Sequence, residues 1–180
     1  MSDIAPELRI LLEKQAITEL VQAYSRAVDR HDFTLLRSLY TEDGIDDHGG
    51  IYSGSADGFV AWLREAMKVV ETSHALHNLT ITVDGDIAEG EAYVTAYNRI
   101  PRAEGGFDEF IQGLRYLDKY RKTDGRWQFV HRTVVVDWAQ HRPALWDFTH
   151  PLLVGKRPAQ PDETDPSYAI LKSPLFARGI

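Results

Sequence analysis

The chain has 180 residues, no cysteine and a formal net charge of -7. That length suits one domain with some spare chain, and a hydrophobic fraction of 43% supplies one sizeable core without a metal or disulfide staple. The acidic balance, with no Lys/Arg cluster to override it, argues against nucleic acid, and the missing thiols exclude disulfides, thiolate catalysis and cysteine-based zinc sites. No apolar run approaches the roughly 20 residues that span a bilayer. The first residues lack the charged and apolar regions of a signal peptide, so a soluble cytoplasmic protein is expected, without membrane or nucleic-acid partners.

Residues 7–29 read as an amphipathic helix, because Ile17, Leu20, Val21, Tyr24 and Val28 recur at helical spacing and Pro6 suits the first turn. Asp32 is a good N-cap for a short second helix over residues 33–40. Residues 41–44 read as a turn and residues 45–48 as a short strand before the Gly49-Gly50 break. Ser55 can cap a third helix over residues 56–71, striped by Phe59, Leu63, Ala66, Met67 and Val70, with Trp62 beside the stripe. Four long strands then follow, over residues 76–83, 87–100, 109–121 and 126–138, with turns at Gly85, Gly105-Gly106 and Asp124-Gly125. Helices followed by a run of antiparallel strands predict an α+β domain whose curved sheet closes over the helices.

The remaining chain is rich in proline (143, 151, 158, 161, 166 and 174) yet keeps Trp146, Phe148, Leu152, Leu153, Tyr168 and Leu171. A disordered tail is poorer in such residues. The expected organisation is a domain over residues 1–140 and an extension over 141–180 that wraps that domain or a neighbouring subunit.

Residues 72–86 are the centre of the functional reading. They hold His74 and His77, then an apolar alternation that ends in a turn. Histidine titrates near neutral pH unaided, and a carboxylate on one ring nitrogen frees the other to take a proton. Asp29, the last residue of the first helix, is the proposed orienting carboxylate for His74. The bland alternative is a capped loop histidine and a helix-end carboxylate. Strict alternation groups His77 with Ala75, Leu79, Ile81 and Val83, so if that apolar face points inward, parity favours His77; a bulge or a displaced strand start would restore His74.

Tyr24 is either a hydrogen-bond donor to substrate oxygen or a core tyrosine. One of Tyr97 and Asn98 should face inward, and the same choice holds for Arg115 and Tyr116. Asp118 is assigned to a surface or interface pair, and Asp137 to a structural network with Arg132 or His131. His31, His48, His141 and His150 read as solvated loop residues. No metal site is expected: His74 and His77 point to opposite strand faces, and the acidic cluster over residues 43–47 lacks calcium-loop spacing. Phosphate-loop and GxSxG signatures are absent.

Certain segments resemble a known family. They are Tyr24-Ser25-Arg26-Ala27-Val28-Asp29-Arg30-His31-Asp32-Phe33, Ser73-His74 through Asn78, Arg115-Tyr116-Leu117-Asp118, Gly125-Arg126-Trp127, His131-Arg132 and Asp137-Trp138. In order and spacing, over about residues 8–140, they resemble the SnoaL-like branch of the nuclear transport factor 2-like superfamily. That resemblance implies a cone-shaped α+β barrel, with three N-terminal helices packed in a strongly curved, mostly antiparallel sheet. Scytalone dehydratase, hexachlorocyclohexane dehydrochlorinase and bile-acid 7α-dehydratase belong to that superfamily and use a His–Asp pair without cofactor. The pair falls on His74 and Asp29, and the bile-acid enzyme's tyrosine falls on Tyr24. Its last-strand arginine falls on Val136, while this chain has Arg132 on the same strand face. The second histidine of scytalone dehydratase has no clear counterpart.

The resulting expectation is a cofactor-independent dehydratase-type lyase acting on a hydrophobic, hydroxylated cyclic carbonyl compound of steroid or polyketide size. His74, Asp29 and Tyr24 would be catalytic. Phe59, Trp62, Tyr97, Asn98, Tyr116 and Arg132 would contact substrate. The alternatives are an isomerase or cyclase using the same proton abstraction, and a non-catalytic binding or assembly module, including an oxygenase small subunit. The resemblance also implies a homo-oligomer, trimer or dimer.

Overall fold

A computed structural model describes residues 5–145, 149–173 and 176. The expectations for the N-terminal four residues and for Trp146, Phe148 and Pro174 lie outside the described residues.

Helix α1 spans Pro6–Asp29 and buries the predicted stripe of Ile17, Leu20, Val21, Tyr24, Ala27 and Val28. Each such side chain contributes roughly 1.5–3 kcal/mol when fully buried. His31, at φ 49°, turns the chain, and the Asp32 carboxylate caps α2 (Phe33–Ser38) by accepting the Leu35 N–H at 3.0 Å. This helix is shorter than expected. Tyr40 is taken by strand β1 (Tyr40–Asp47), where it pairs with Phe129, so residues 41–44 lie within an irregular strand rather than a free turn. A three-residue strand, β2 (Ser53–Ser55), pairs back on β1 and leads into α3 (Ala56–Ala66), capped by Ser55 as expected. Helix α3 stops five residues early because Glu71 belongs to β3 (Glu71–Asp84), where it pairs with Arg99 in register and by a 2.7 Å ion pair.

Strands β4 (Ile87–Pro101), β5 (Phe107–Thr123) and β6 (Arg126–Pro143) complete a six-stranded sheet of order β2-β1-β6-β5-β4-β3. Every pairing is antiparallel except β1 with β6, which is parallel. The β5–β6 turn has both Asp124 and Gly125 at positive φ, as a tight two-residue hairpin turn requires. Register shifts between Leu76 and Leu79, Gly113 and Leu114, and Lys119 and Tyr120 bend the sheet around α1 and α3. At Gly113 the Trp138 ring lies directly over the backbone: a Cβ there would sit 2.1 Å from ring atoms. The enclosed core is aromatic, built on Tyr24, Tyr40, Phe59, Tyr116, Tyr120 and Phe129. This is the expected α+β cone, open rather than closed.

Among the described residues beyond β6, a short turn of 3-10 helix (Pro151–Leu153) and α4 (Pro166–Ile170) are the regular elements. This stretch meets α1 through two arginines. Arg30 donates to the Gln160 carbonyl at 2.7 Å, and the Arg26 guanidinium lies 5.1 Å from the Tyr168 ring centroid.

Candidate active site

Asp29 ends α1, and β3 runs past that helix end. Three donors converge on its carboxylate. The Thr72 hydroxyl and His74 Nδ1 reach Oδ1 at 2.8 and 2.6 Å, and the His74 backbone N–H reaches Oδ2 at 2.9 Å. Burial pushes the Asp29 carboxyl up, but the hydrogen bonds and charge of His74, with Thr72, outweigh it and hold the group below the usual carboxylate range. An ionised carboxylate only accepts, so Nδ1 carries the hydrogen and Nε2 is left for the cavity that His74 lines.

A bulge decides between the two histidines. His74 pairs with Ala96 and Leu76 with Val94, but Leu79 pairs with Ala92, so β3 has one extra residue there. Even-numbered side chains (Thr72, His74) face inward before the bulge and odd-numbered ones (Ile81) after it. His77 falls outside, its Nε2 2.9 Å from the Thr95 hydroxyl on the exposed face. Strand β3 also begins earlier than expected, so His74 sits within it and not at its mouth.

The cavity measures about 110 Å³. Its walls include Tyr24 and Val28 of α1, Phe59 and Trp62 of α3, and Ala96, Asn98, Gln112, Leu114 and Tyr116 of the sheet, with Ile51 at the lip. An apolar cavity of about 150 Å³ holds a benzene, so this one falls somewhat short of the space of a single ring. Of the seven expected site residues besides Asp29 and His74, five (Tyr24, Phe59, Trp62, Asn98 and Tyr116) line the cavity, whereas Tyr97 and Arg132 do not. Tyr97 alternates with Ala96 and Asn98 and points to the outer face, 37% exposed. Arg132 lies fully buried beneath the site, its guanidinium 4.0 Å from the centroids of both Tyr24 and Tyr116.

Arg132 also corrects two expected pairings. It binds Asp118 with two hydrogen bonds, 2.8 and 2.7 Å, and Asp118 is itself buried, so this is a core ion pair and not a surface one. Asp137 instead joins Arg115 on the outer face, 3.0 Å away. Burial pushes the Tyr24 and Tyr116 hydroxyls well up; for Tyr24 the nearby Asp46 adds to this and Arg132 opposes it. Both therefore stay phenols and act as neutral donors.

Three further polar groups at the cavity escaped sequence reasoning: Thr72, Gln112 and His48. Thr72 is two residues before His74, a signal usable only once the strand start is known. His48, expected to be solvated, is half-buried, with Nδ1 2.5 Å from Oδ1 of the fully buried Asp46. Their spacing of two, at the end of β1 and one residue past it, was a readable sign of a shared face. Among the described residues, no group of three His, Asp or Glu side chains is placed to hold a metal ion. No helix among them is long and apolar enough to cross a membrane.

The SnoaL-like domain family matches residues 9–133. The chain belongs to that family. Among curated relatives, the uncharacterized protein Rv2910c of Mycobacterium tuberculosis is 28% identical over 124 residues, which is 67% of this chain and 82% of that protein. Among solved structures, a hexachlorocyclohexane dehydrochlorinase (LinA) type 2 superposes with a TM-score of 0.70 at 22% identity, covering 81% of this chain and 98% of the other. A candidate scytalone dehydratase from Novosphingobium aromaticivorans gives 0.65 at 24% identity, covering 74% and 90%. These structural likenesses establish the cone fold.

Proposed function

We propose that this SnoaL-like protein is a cofactor-independent lyase that removes water from a hydrophobic, hydroxylated cyclic carbonyl compound. The observation that carries the reading is the 2.6 Å contact between Asp29 and His74 Nδ1, with that imidazole lining a small, mainly apolar cavity. His74 Nε2 takes the proton next to the carbonyl, where the C–H bond is acid enough for histidine. Asp29 fixes the tautomer and stabilises the imidazolium that forms. Tyr24, Asn98 and Tyr116 supply neutral donors for the oxygen on which charge develops. The dehydrochlorinase and the candidate dehydratase with the same fold carry names of related eliminations, which supports this class. The reacting edge of the ring enters the cavity; the remainder of a steroid- or polyketide-sized substrate lies at the mouth beside Ile51.

Incubation with a panel of β-hydroxy cyclic ketones, read by mass spectrometry, tests the proposal. Loss of one water that disappears in His74→Ala supports it. Full turnover by His74→Ala sinks it. Proton abstraction with no change in mass would favour an isomerase, a reading that the neutral donors around His74 serve equally well.

A further inference from the structure

The cavity wall across from β3 carries a second histidine–carboxylate pair. Asp46 is completely buried on β1 and accepts the Tyr40 hydroxyl at Oδ2, 2.5 Å away, while Oδ1 meets His48 Nδ1 at 2.5 Å. The His48 ring stacks on Phe59, with centroids 5.0 Å apart and planes 18° from parallel. Its backbone N–H is pinned to the Tyr52 carbonyl at 2.7 Å. The ring is therefore held on one edge, one face and its main chain. With Asp46 Oδ1 as the acceptor of this contact, the hydrogen sits on Nδ1 and Nε2 is left for the cavity that His48 lines.

An elimination that expels hydroxide needs a proton for the departing oxygen. Among the described residues, four titratable side chains line this cavity: Tyr24, Tyr116, His74 and His48. The two tyrosines are held as phenols by burial and do not release protons near neutrality. His74 is committed to the carbon acid. We propose that His48, positioned by Asp46, is the acid that protonates the leaving oxygen; this rests on the lyase reading above.

In the step, His74 Nε2 takes the proton next to the carbonyl and the C–H electron pair becomes the new C=C bond. The C–O bond breaks with its pair on oxygen, which takes the Nε2 proton of His48 imidazolium and departs as water. His74 ends as imidazolium and His48 neutral, and transfer of one proton from the first to the second through solvent restores the start.

The experiment compares two probes, β-hydroxycyclohexanone and β-acetoxycyclohexanone, both giving cyclohexenone. Hydroxide leaves only with a proton, whereas acetate leaves as the anion. For His48→Gln, turnover of the hydroxy probe should fall on the order of 100-fold, with the acetoxy probe little changed. Asp46→Asn, which keeps the side-chain size, should show the same leaving-group dependence to a smaller degree, whereas a merely structural defect slows both probes equally. His74→Gln should lose both. If His48→Gln and Asp46→Asn handle the hydroxy probe like the wild type, or slow both probes alike, the acid role is overturned while the lyase reading stands. If the wild-type protein converts neither probe, or His74→Gln converts both, the lyase reading fails and takes this assignment with it.

Discussion

Asp29 receives His74 twice, from the backbone N–H at 2.9 Å and from ring Nδ1 at 2.6 Å. The double contact ties the C-terminal end of α1 to β3 and sets the orientation of the imidazole in one stroke. Main chain and ring cannot move independently, so the cavity-facing nitrogen is pre-positioned.

Asp29→Asn tests the tautomer. The amide keeps the shape but can turn its NH2 toward Nδ1, which moves the ring hydrogen to Nε2 and removes the base. Turnover should fall on the order of 10²- to 10⁴-fold. Ring nitrogen NMR of His74 should show the hydrogen on Nδ1 in the wild type and on Nε2 in the variant.

The same carboxylate predicts an acid-stability effect. Its folded-state pKa lies below the usual carboxylate range: burial alone would raise it, but the hydrogen bonds and charge of His74 and the Thr72 hydroxyl outweigh that. A depressed carboxylate stabilises the fold fully above its unfolded pKa, and that contribution disappears as pH falls through the folded value. The stability gap between wild type and Asp29→Asn in denaturant melts should therefore be widest near neutrality and shrink as the pH falls below the usual carboxylate range. A gap that stays constant with pH would contradict this.

Arg132 and Asp118 are both fully buried partners under the Tyr24 and Tyr116 rings. Arg132→Met leaves the Asp118 carboxylate without its cation and should cost about 3–5 kcal/mol. Removing both charges with Arg132→Met and Asp118→Leu should recover most of that loss. Denaturant melts of the single and double variants check the cycle.

Leu114 is a buried wall residue of the cavity. Leu114→Ala should destabilise by about 2–5 kcal/mol and enlarge the space available to the reacting ring. Relative turnover should shift toward cyclic ketones with alkyl substituents, measured by competition within one mixture.

The local elements were legible because their signals are local. The stripe from Ile17 to Val28, the caps at Asp32 and Ser55, and the Asp124-Gly125 turn each depend on residues a few positions apart. Boundaries failed where distant pairing overruled them. Tyr40 left the α2 pattern for Phe129, and Glu71 left α3 for Arg99. The parallel β1–β6 pairing joins segments about 85 positions apart in the chain and has no short-range signature.

By itself the sequence determined that this is an acidic, thiol-free α+β chain with His74 and Asp29 at the ends of segments that could meet. Tertiary structure alone decided which histidine faces inward, because one extra residue between Leu76 and Leu79 reverses the alternation of an otherwise regular strand. It also decided that Tyr97 lies outside, that Arg132 sits under the site, and that His48, held by Asp46 behind it, is at the cavity. Those facts follow from sheet register and curvature, which are set by pairing across the whole cone and not by neighbours along the chain.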